Sequence, residues 1–300
     1  MPQGSHLGPI LFDIFINDLR QVILFSQPLL FADDLKLFQK IDSLDDAMRL
    51  QGDLDMVSEW CVKNKMNLNI KKCKIMSFYR TKHPSVFDYS LNDHVLERVT
   101  TVVDLGVHLD VRLDFHGHYE YIVNKAFKLL GFVCLNAKDF HSESSLNNIY
   151  KTLVRAGLEY LSCVWSPLYS VHIQNIEKVQ RRYSRYISFK FRLPAQSYDG
   201  LKRRLCLDSL SGRRAKSDIY FLFKLVNGII DCPDLLNMIN FRVPSRSTRD
   251  HSLFAVDRHR CNYGMSSPIA RMINNSNMID IDFFNTTFVS FKRRLSQLSL

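Results

Sequence analysis

The spacing of hydrophobic residues in the first part of the chain predicts two helices and a hairpin. Apolar residues recur every three or four positions from Leu7 to Leu19, which predicts a helix. The segment Pro28–Phe38 has two short apolar runs around a polar centre, which is typical of a β-hairpin. Ser43, with Asp46 three residues later, approximates a capping box, so a second helix should begin there. One face of this second helix would carry Leu44, Ala47, Leu50, Leu54, Val57 and Cys61.

The hydrophobic period changes near His118. Before it, Lys72–Tyr79 and Thr101–Leu109 are predicted as strands. After it, the period is 3.6, and the sequence predicts helices near 118–133, 146–154, 173–187, 209–230 and 284–298, with an irregular polar segment near 242–262. The pattern therefore predicts an α+β first third and an all-helical remainder, with a boundary near 115–120.

Composition excludes several classes of protein. The chain has 300 residues, of which 46% are hydrophobic, so it is not a wholly disordered protein. Its apolar runs are far shorter than the roughly 18 residues of a membrane span, and it lacks the pattern of a secretory signal. We therefore expect an intracellular protein that is neither secreted nor bound to a membrane. The seven cysteines are scattered without a CxxC pair, which predicts free thiols and no structural zinc.

Charge is distributed unevenly along the chain. Residues 1–120 contain 17 acidic and 13 basic residues, a net charge of −4, whereas residues 121–300 contain 13 acidic and 27 basic residues, a net charge of +14. Within the second part, residues 178–216 hold twelve Lys and Arg against two Asp, with tyrosines and phenylalanines between them. Such a segment suits binding to the phosphates of a nucleic acid, although a solvated helix face is the simpler explanation. The candidates for phosphate binding are Arg181, Arg182, Arg185, Lys202, Arg203 and Arg204.

Two segments of the first third are candidates for chemistry. Asp33 and Asp34 are adjacent carboxylates at the centre of the predicted hairpin, an arrangement that suits Mg²⁺ but also fits an ordinary solvated turn. Gln3, Gly4 and Ser5 precede the first helix, where backbone N–H groups of a glycine loop can approach a phosphate. A helix entry capped by Ser5 would explain the same residues.

The order and spacing of several blocks resemble one family. The blocks are PQGS with the following helix, FADD about thirty residues later, a segment from Trp60 to Phe78, and Leu105–Asp110. Together they resemble the reverse transcriptase of jockey-like non-LTR retrotransposons. The helical part continues the resemblance through the blocks around Leu158–Pro167 and Ile176–Arg182. The resemblance implies a partial polymerase palm (hairpin, sheet and helices) at 1–115, a helical thumb at 116–192 and a basic helical extension at 193–300.

The resemblance also implies roles for individual residues. Asp33 would be the principal metal ligand with Asp34 beside it, and the metal would be Mg²⁺, with Mn²⁺ as an alternative. Gln3, Gly4 and Ser5 would shape the pocket for nucleotide and template. Lys72 matches a lysine that would donate a proton to pyrophosphate, but Lys71 and Lys74 are close, and a solvated strand end is an equal alternative. The partners implied are an RNA template, a DNA primer and deoxynucleoside triphosphates, in a ribonucleoprotein of the nucleus or cytoplasm.

One departure from the family limits the expected activity. In these enzymes a third metal-binding aspartate precedes the PQGS loop, together with a basic fingers segment, whereas the present sequence begins at the loop. A two-metal site without one of its carboxylates loses both ion occupancy and geometry. We therefore expect this chain not to polymerise alone. The alternative function is a non-catalytic nucleic-acid-binding protein derived from a retroelement.

Aromatic and histidine residues outside these blocks are expected to be structural. Trp60, Tyr160 and Trp165 are predicted as core anchors. His116 and His118 lack a third metal-binding residue nearby in sequence, so they are expected to be polar or capping residues rather than metal ligands.

Overall fold

A computed structural model describes residues 5–80, 86–242, 252–258, 261–265 and 267–298. The chain divides into two compact units, Met1–Asp114 and Phe115–Leu300. In the described residues all four two-stranded sheets lie in the first unit, and the second unit is mainly helical. The α+β class is therefore confirmed, while the division into palm (1–115), thumb (116–192) and extension (193–300) stays a prediction.

Among its described residues, the first unit has short helices, one long helix and eight short strands. Strands β1 and β2, β4 and β5, and β7 and β8 form antiparallel hairpins, whereas β3 and β6 pair in parallel. The helices are α1 (Gly8–Ile16), α2 (Leu19–Val22) and α3 (Leu44–Lys63), and the strands are β1 (Gln27–Phe31), β2 (Asp34–Phe38), β3 (Lys74–Ile75), β4 (Ser90–Leu91), β5 (His94–Val95), β6 (Glu97–Arg98), β7 (Thr101–Asp104) and β8 (Val107–Asp110).

Helix α3 forms as its sequence predicts. The side chain of Ser43 accepts a hydrogen bond from the backbone N–H of Asp46, and the Asp46 carboxylate accepts one from the backbone N–H of Ser43, which completes the capping box. Val57 and Cys61 pack against α1 and α2, and Ala47 packs near β4. Leu44 is 64% exposed, so its predicted place on the buried face was wrong. It is the first residue of the helix and lies beyond the packed turns.

Two predicted strands differ from the structure. The segment Lys72–Tyr79 forms only the short strand β3, because the backbone N–H groups of Lys72 and Cys73 bond to carbonyls of Asn69 and Ile70 in a 3₁₀ turn. The predicted strand Thr101–Leu109 is a hairpin. Leu105 (φ 45°) and Gly106 (φ 84°) adopt left-handed conformations and reverse the chain between β7 and β8.

The second unit is built mainly from helices that bury apolar side chains between them. The long helices α4 and α8 pack against each other, and the long helix α10 packs against the shorter helices α13 and α14. A π-helical segment, Tyr150–Arg155, joins α5 to α6. The helices are α4 (His116–Asn136), α5 (Glu143–Ile149), α6 (Ala156–Glu159), α7 (Ser162–Trp165), α8 (Ser170–Lys190), α9 (Tyr198–Arg204), α10 (Leu210–Val226), α11 (Pro233–Leu236), α12 (Asn262–Met265), α13 (Pro268–Asn277) and α14 (Phe288–Gln297).

The predicted core aromatics are confirmed except for one. Trp60 and Trp165 are buried. Tyr160 is 54% exposed, because it follows the last residue of α6 and lies in the turn between α6 and α7. Helix α13 was not predicted, although its buried residues Ala270, Met272 and Ile273 pack in the interior of the unit. Much of the predicted irregular segment 242–262 lies outside the described residues.

Candidate functional site

Asp33 and Asp34 lie at the tip of the β1–β2 hairpin. Phe31 pairs with Asp34, so Ala32 and Asp33 form a two-residue turn. Ala32 has a φ of 51°, the left-handed conformation that tight hairpin turns require at their first central position. Both carboxylates are exposed. The hairpin therefore presents two adjacent carboxylates to solvent on a short, geometrically defined turn.

A buried carboxylate on α3 holds the segment that leads into this hairpin. The Asp53 carboxylate accepts hydrogen bonds from the backbone N–H groups of Leu24 (2.9 Å), Phe25 (3.1 Å) and Ser26 (2.6 Å). Burial alone would raise the pKa of Asp53, but hydrogen bonds from Ser26, Leu24 and Phe25 outweigh it and hold the pKa below its ordinary value. Since β1 begins at Gln27, directly after these residues, Asp53 fixes where the hairpin starts.

A second contact anchors the other strand of the hairpin. Lys36 on β2 forms an ion pair with Asp104 on β7. Asp104 is the last residue of β7, directly before the Leu105–Gly106 turn. The pair therefore links the aspartate hairpin to the β7–β8 hairpin. Both side chains are partly buried, which makes the pair less screened by salt than an exposed one. The pair thus links the strand that follows the FADD block to the residue that precedes the Leu105–Asp110 block, within the first unit.

The carboxylate pair fits part of a divalent metal site. Mg²⁺ is commonly held by one or two carboxylates together with water and substrate phosphates, and Asp33 and Asp34 supply that number of hard oxygen ligands. Across the described ranges of the chain, no group of three His, Cys, Asp or Glu side chains could hold a metal ion. A metal ion at this pair would therefore need its further ligands from other groups.

The loop before α1 is described only in part. Gln3 and Gly4 lie outside the described residues. Ser5 is exposed, and its side-chain oxygen accepts a hydrogen bond from the backbone N–H of Leu7 at 3.2 Å. The capping interpretation of Ser5 is therefore wrong, because the N-cap residue of α1 is Leu7 and that position has no side-chain capping hydrogen bond. The Ser5 hydroxyl bonds only within the turn that precedes the helix.

Lys72 lies at the end of the 3₁₀ turn rather than on a strand. Its side chain and that of Lys71 are exposed, and neither forms an ion pair with another described residue. Lys74, in contrast, is paired with Glu97 across the β3–β6 sheet. Of the three neighbouring lysines, Lys74 therefore has a structural partner, and Lys71 and Lys72 point their charge to solvent.

Helix α8 separates a buried face from a basic one. Val179, Tyr183 and Ile187 are buried, whereas Arg181, Arg182 and Arg185 are exposed. The Tyr183 ring stacks on Tyr150 at 3.9 Å between ring centroids. The three arginines are therefore displayed to solvent by a rigid helix whose other face is fixed in the core.

The basic residues of α9 adjoin those of α8 through one tyrosine. Arg181 and Lys202 both lie over the Tyr198 ring, at 5.1 and 5.0 Å from its centroid. Lys202 also pairs with Asp199 at 2.9 Å, and Arg204 pairs with Glu143 at 3.4 Å. Arg203 is exposed and has no ion pair within the described part of the chain.

Glu177 connects the helices that carry these cations, a role that its sequence did not predict. Its carboxylate accepts hydrogen bonds from the Tyr198 hydroxyl (2.5 Å) and from the backbone N–H of Leu210 (3.0 Å), so it ties α8 to α9 and α10. Burial, followed by the Glu177 hydrogen bond, raises the pKa of Tyr198.

The role of Asp53 was not predicted either. Asp53 and Glu177 share one signal in the sequence. Each is an acidic residue three or four positions from an apolar residue on the core-facing side of its helix.

Comparison with known proteins finds a family model that matches the first part of the chain. Residues 1–134 match the family model described as reverse transcriptase (RNA-dependent DNA polymerase). The RNA-directed DNA polymerase from mobile element jockey of Drosophila funebris is 29% identical over 205 residues, and the probable RNA-directed DNA polymerase from transposon X-element of Drosophila melanogaster is 27% identical over 197 residues. Each alignment covers 63% of this chain but 22% and 21% of the relatives. No solved structure matches the chain.

The match and the carboxylate hairpin together relate this chain to the RNA-directed DNA polymerases. More specifically, its relatives come from retrotransposons of the jockey kind, which confirms the resemblance to their reverse transcriptases. The chain spans about a fifth of the length of these curated relatives. In the part of the chain that the structure describes, no helix is long and apolar enough to cross a membrane.

Proposed function

We propose that this chain supplies metal-binding carboxylates to the nucleotidyl transfer of a retrotransposon reverse transcriptase. The observation that carries the proposal is the exposed Asp33–Asp34 pair at a two-residue hairpin tip, inside the segment that matches the reverse transcriptase family. The substrates would be a deoxynucleoside triphosphate and a DNA primer on an RNA template. Gln3, Gly4 and Ser5 would contact nucleotide and template, and Lys72 would donate a proton to the leaving pyrophosphate.

Asp33 and Asp34 would act through divalent ions. Divalent ions held there in a two-metal arrangement, Mg²⁺ or Mn²⁺, would supply the charge that stabilises the attacking and leaving oxygens. The carboxylates would position those charges, and the Asp53 contacts and the Lys36–Asp104 pair would keep the tip in place. This division of roles fits phosphoryl transfer, in which catalysis is mostly positioning and charge stabilisation.

A metal-directed cleavage experiment tests the carboxylate site. Fe²⁺ with ascorbate should cut the backbone near residues 31–35, and excess Mg²⁺ should suppress the cuts. Asp33→Asn and Asp34→Asn should each remove them. Asp93→Asn is the matched control, because Asp93 is an exposed aspartate in the turn between β4 and β5. Cleavage at 31–35 that persists in Asp33→Asn would contradict the assignment.

Primer extension tests how complete the site is. We propose that Asp33 and Asp34 need a further carboxylate, since the described residues bring no third ligand to them. The purified chain should then fail to extend a DNA primer on RNA in Mg²⁺. Extension that is lost in Asp33→Asn would show that these carboxylates suffice and would overturn this part of the proposal.

A second candidate function is nucleic-acid binding without catalysis. It is favoured by the exposed Arg181, Arg182 and Arg185 on one face of α8, with Lys202, Arg203 and Arg204 following on α9. Binding of an oligonucleotide should then survive Asp33→Asn and Asp34→Asn. The double variant Arg181→Glu/Arg182→Glu should weaken the binding and make it less dependent on salt. For a single strand, the slope of log K against log salt should fall by about 0.7 for each phosphate contact that is lost. The exposed pair Lys63→Glu/Lys65→Glu of the first unit is the control.

A further inference from the structure

A cavity of about 530 Å³ lies between α10 and α14 in the second unit. Four basic side chains line it: Arg213 and Lys216 from α10, and Lys292 and Arg293 from α14. An adjoining cavity of about 420 Å³ shares Lys216 with it and adds Lys202 and Arg203 from α9. We call these six cations, Lys202, Arg203, Arg213, Lys216, Lys292 and Arg293, the basic trough.

The carboxylates in the first cavity are already neutralised. Arg213 forms a two-pronged ion pair with Glu159, in which one Nη donates to Oε2 at 2.9 Å. Lys216 is buried, and its Nζ donates to Asp208 at 3.1 Å and to the carbonyl of Ser296 at 3.4 Å. Each carboxylate is therefore matched by at least one cation, and Glu159 also pairs with Arg155 at 3.4 Å. This leaves the positive charge of the α14 wall unneutralised.

That charge belongs to Lys292 and Arg293. Both are exposed on α14, and neither forms an ion pair with another residue in the described ranges. Ser162 also borders this cavity, but its hydroxyl oxygen is shielded from solvent and lies out of reach of a ligand there. The two unneutralised cations are therefore the feature of this cavity that suits a phosphate.

The trough is continuous with the basic surface of α8. Lys202 lines the second cavity and lies over the Tyr198 ring, and Arg181 of α8 lies over the same ring. A single phosphate would occupy only one part of this arrangement. Cations spaced from α8 through α9 and α10 to α14 match instead an extended chain of phosphates.

We propose that the basic trough binds the phosphodiester backbone of a nucleic-acid strand. The inference rests on the nucleic-acid binding proposed above and extends it to α10 and α14, with Lys292 and Arg293 as the phosphate contacts. A strand held there would run from the exposed arginines of α8 past Tyr198 into the cavity beside α14. Backbone contacts of this kind give affinity without sequence preference.

Charge reversal on one helix provides a matched test. Lys292→Glu and Arg293→Glu should each weaken binding of a fluorescent 20-nucleotide RNA or DNA strand, and each should lower the slope of log K against log salt by about 0.7. Arg294→Glu makes the same charge change on the same helix, outside the cavity lining, and should have less than half this effect on the slope. Equal effects at all three positions would mean that only net charge matters and would overturn the proposal.

A chemical footprint locates the strand independently of these variants. Cys206 is exposed and lines the second cavity, whereas Cys261 is exposed and is outside both cavity linings. A bound strand should slow maleimide modification of Cys206 but not of Cys261, as measured by peptide mass spectrometry. Protection by a mononucleotide at the same phosphate concentration would show a site for single phosphates and would contradict the assignment to a strand. Unprotected Cys206 with a saturating strand would contradict it as well.

The outcomes separate this inference from the proposal on which it rests. Binding that is weakened by Arg181→Glu/Arg182→Glu but not by Lys292→Glu or Arg293→Glu would overturn the trough and keep the α8 surface. Absence of strand binding by the unmodified chain would overturn both. Circular dichroism of each variant should match that of the unmodified chain, since all the substituted side chains are exposed.

Discussion

The Asp53 carboxylate shows how one buried side chain can control a distant hairpin tip. Replacing it in Asp53→Asn keeps the shape but puts an amide NH₂ where an acceptor is needed, so at least one backbone N–H loses its partner. We expect a loss of roughly 1–3 kcal/mol in the free energy of unfolding of the first unit at pH 7. Urea unfolding followed by hydrogen exchange of first-unit peptides measures it. Asp55→Asn, an exposed position on the same helix, is the control.

The same residue predicts a pH dependence with a defined sign. Because hydrogen bonds hold the pKa of Asp53 below its ordinary value in the folded state, its contribution to stability is present above the pKa of the unfolded chain, about 3.9. It is lost as the pH falls further, through the lower folded pKa. The stability difference between the unmodified chain and Asp53→Asn should therefore narrow below about pH 4. A constant difference from pH 7 to pH 3 would contradict this assignment.

Two arginines of the second unit, the buried Arg214 and the partly buried Arg271, should respond differently to removal of charge. Arg214 is buried, its Nε and Nη1 have no hydrogen-bond partner among described groups, and burial lowers its pKa to about 10. Arg271 donates to Asp218 at 2.9 Å and to the carbonyl of Cys163 at 2.6 Å. Asp218 is itself buried, and removal of Arg271 would strip it of its cation.

We therefore expect Arg271→Met to cost roughly 3–5 kcal/mol and Arg214→Met to be neutral or stabilising. Thermal unfolding of the two variants measures the contrast, and each serves as the control for the other. A larger loss in Arg214→Met than in Arg271→Met would show that the Arg214 guanidinium has a partner that outweighs its cost of burial.

At the scale of elements, the sequence predicts best where the signal is local. The β1–β2 hairpin and the start of α3 depend on residues close in sequence, such as Ser43 and Asp46, and both are confirmed. The segment Thr101–Leu109 consists mostly of strand-forming residues, and the left-handed backbone conformations of Leu105 and Gly106 turn it into a hairpin. The hydrogen bonds to Asp53 join positions 27–29 residues apart, and no local pattern identifies such partners. Position on a helix face predicts burial of Asp53, but not what it binds.

Helix α1 leaves most of its apolar side chains in solvent. Ile10, Leu11, Ile14 and Phe15 are 56%, 50%, 69% and 41% exposed. A contiguous exposed apolar surface binds hydrophobic dyes and promotes association. Ile10→Lys/Ile14→Lys should therefore lower the fluorescence of bound anilinonaphthalene sulfonate, with a change in stability within about 0.5 kcal/mol. Phe132→Lys, at a 60% exposed position of α4, is the control and should change dye binding less.

At the scale of the molecule, the charge asymmetry coincides with the structural division. The acidic excess lies in residues 1–120 and the basic excess in residues 121–300. Along the chain, the boundary between the two compact units falls between Asp114 and Phe115. The apolar cores around Trp60 and around Phe223 each draw on residues of one unit. Composition could therefore indicate that two parts have different partners. The trough could not be predicted, because its cations come from three helices that only the tertiary fold brings together.

This division predicts that a nucleic-acid strand stabilises one unit selectively. A ligand that binds only the folded form stabilises it by mass action, by about 2.7 kcal/mol at a hundredfold excess over Kd. Because the proposed phosphate contacts all lie on α8, α9, α10 and α14, the strand should raise the urea midpoint of peptides from 115–298 and leave that of peptides from 5–80 unchanged. Hydrogen exchange with mass spectrometry, with and without a 20-nucleotide strand, measures both at once. Equal shifts in the two sets of peptides would mean that the units unfold together, and a shift confined to 5–80 would place the strand on the aspartate hairpin instead.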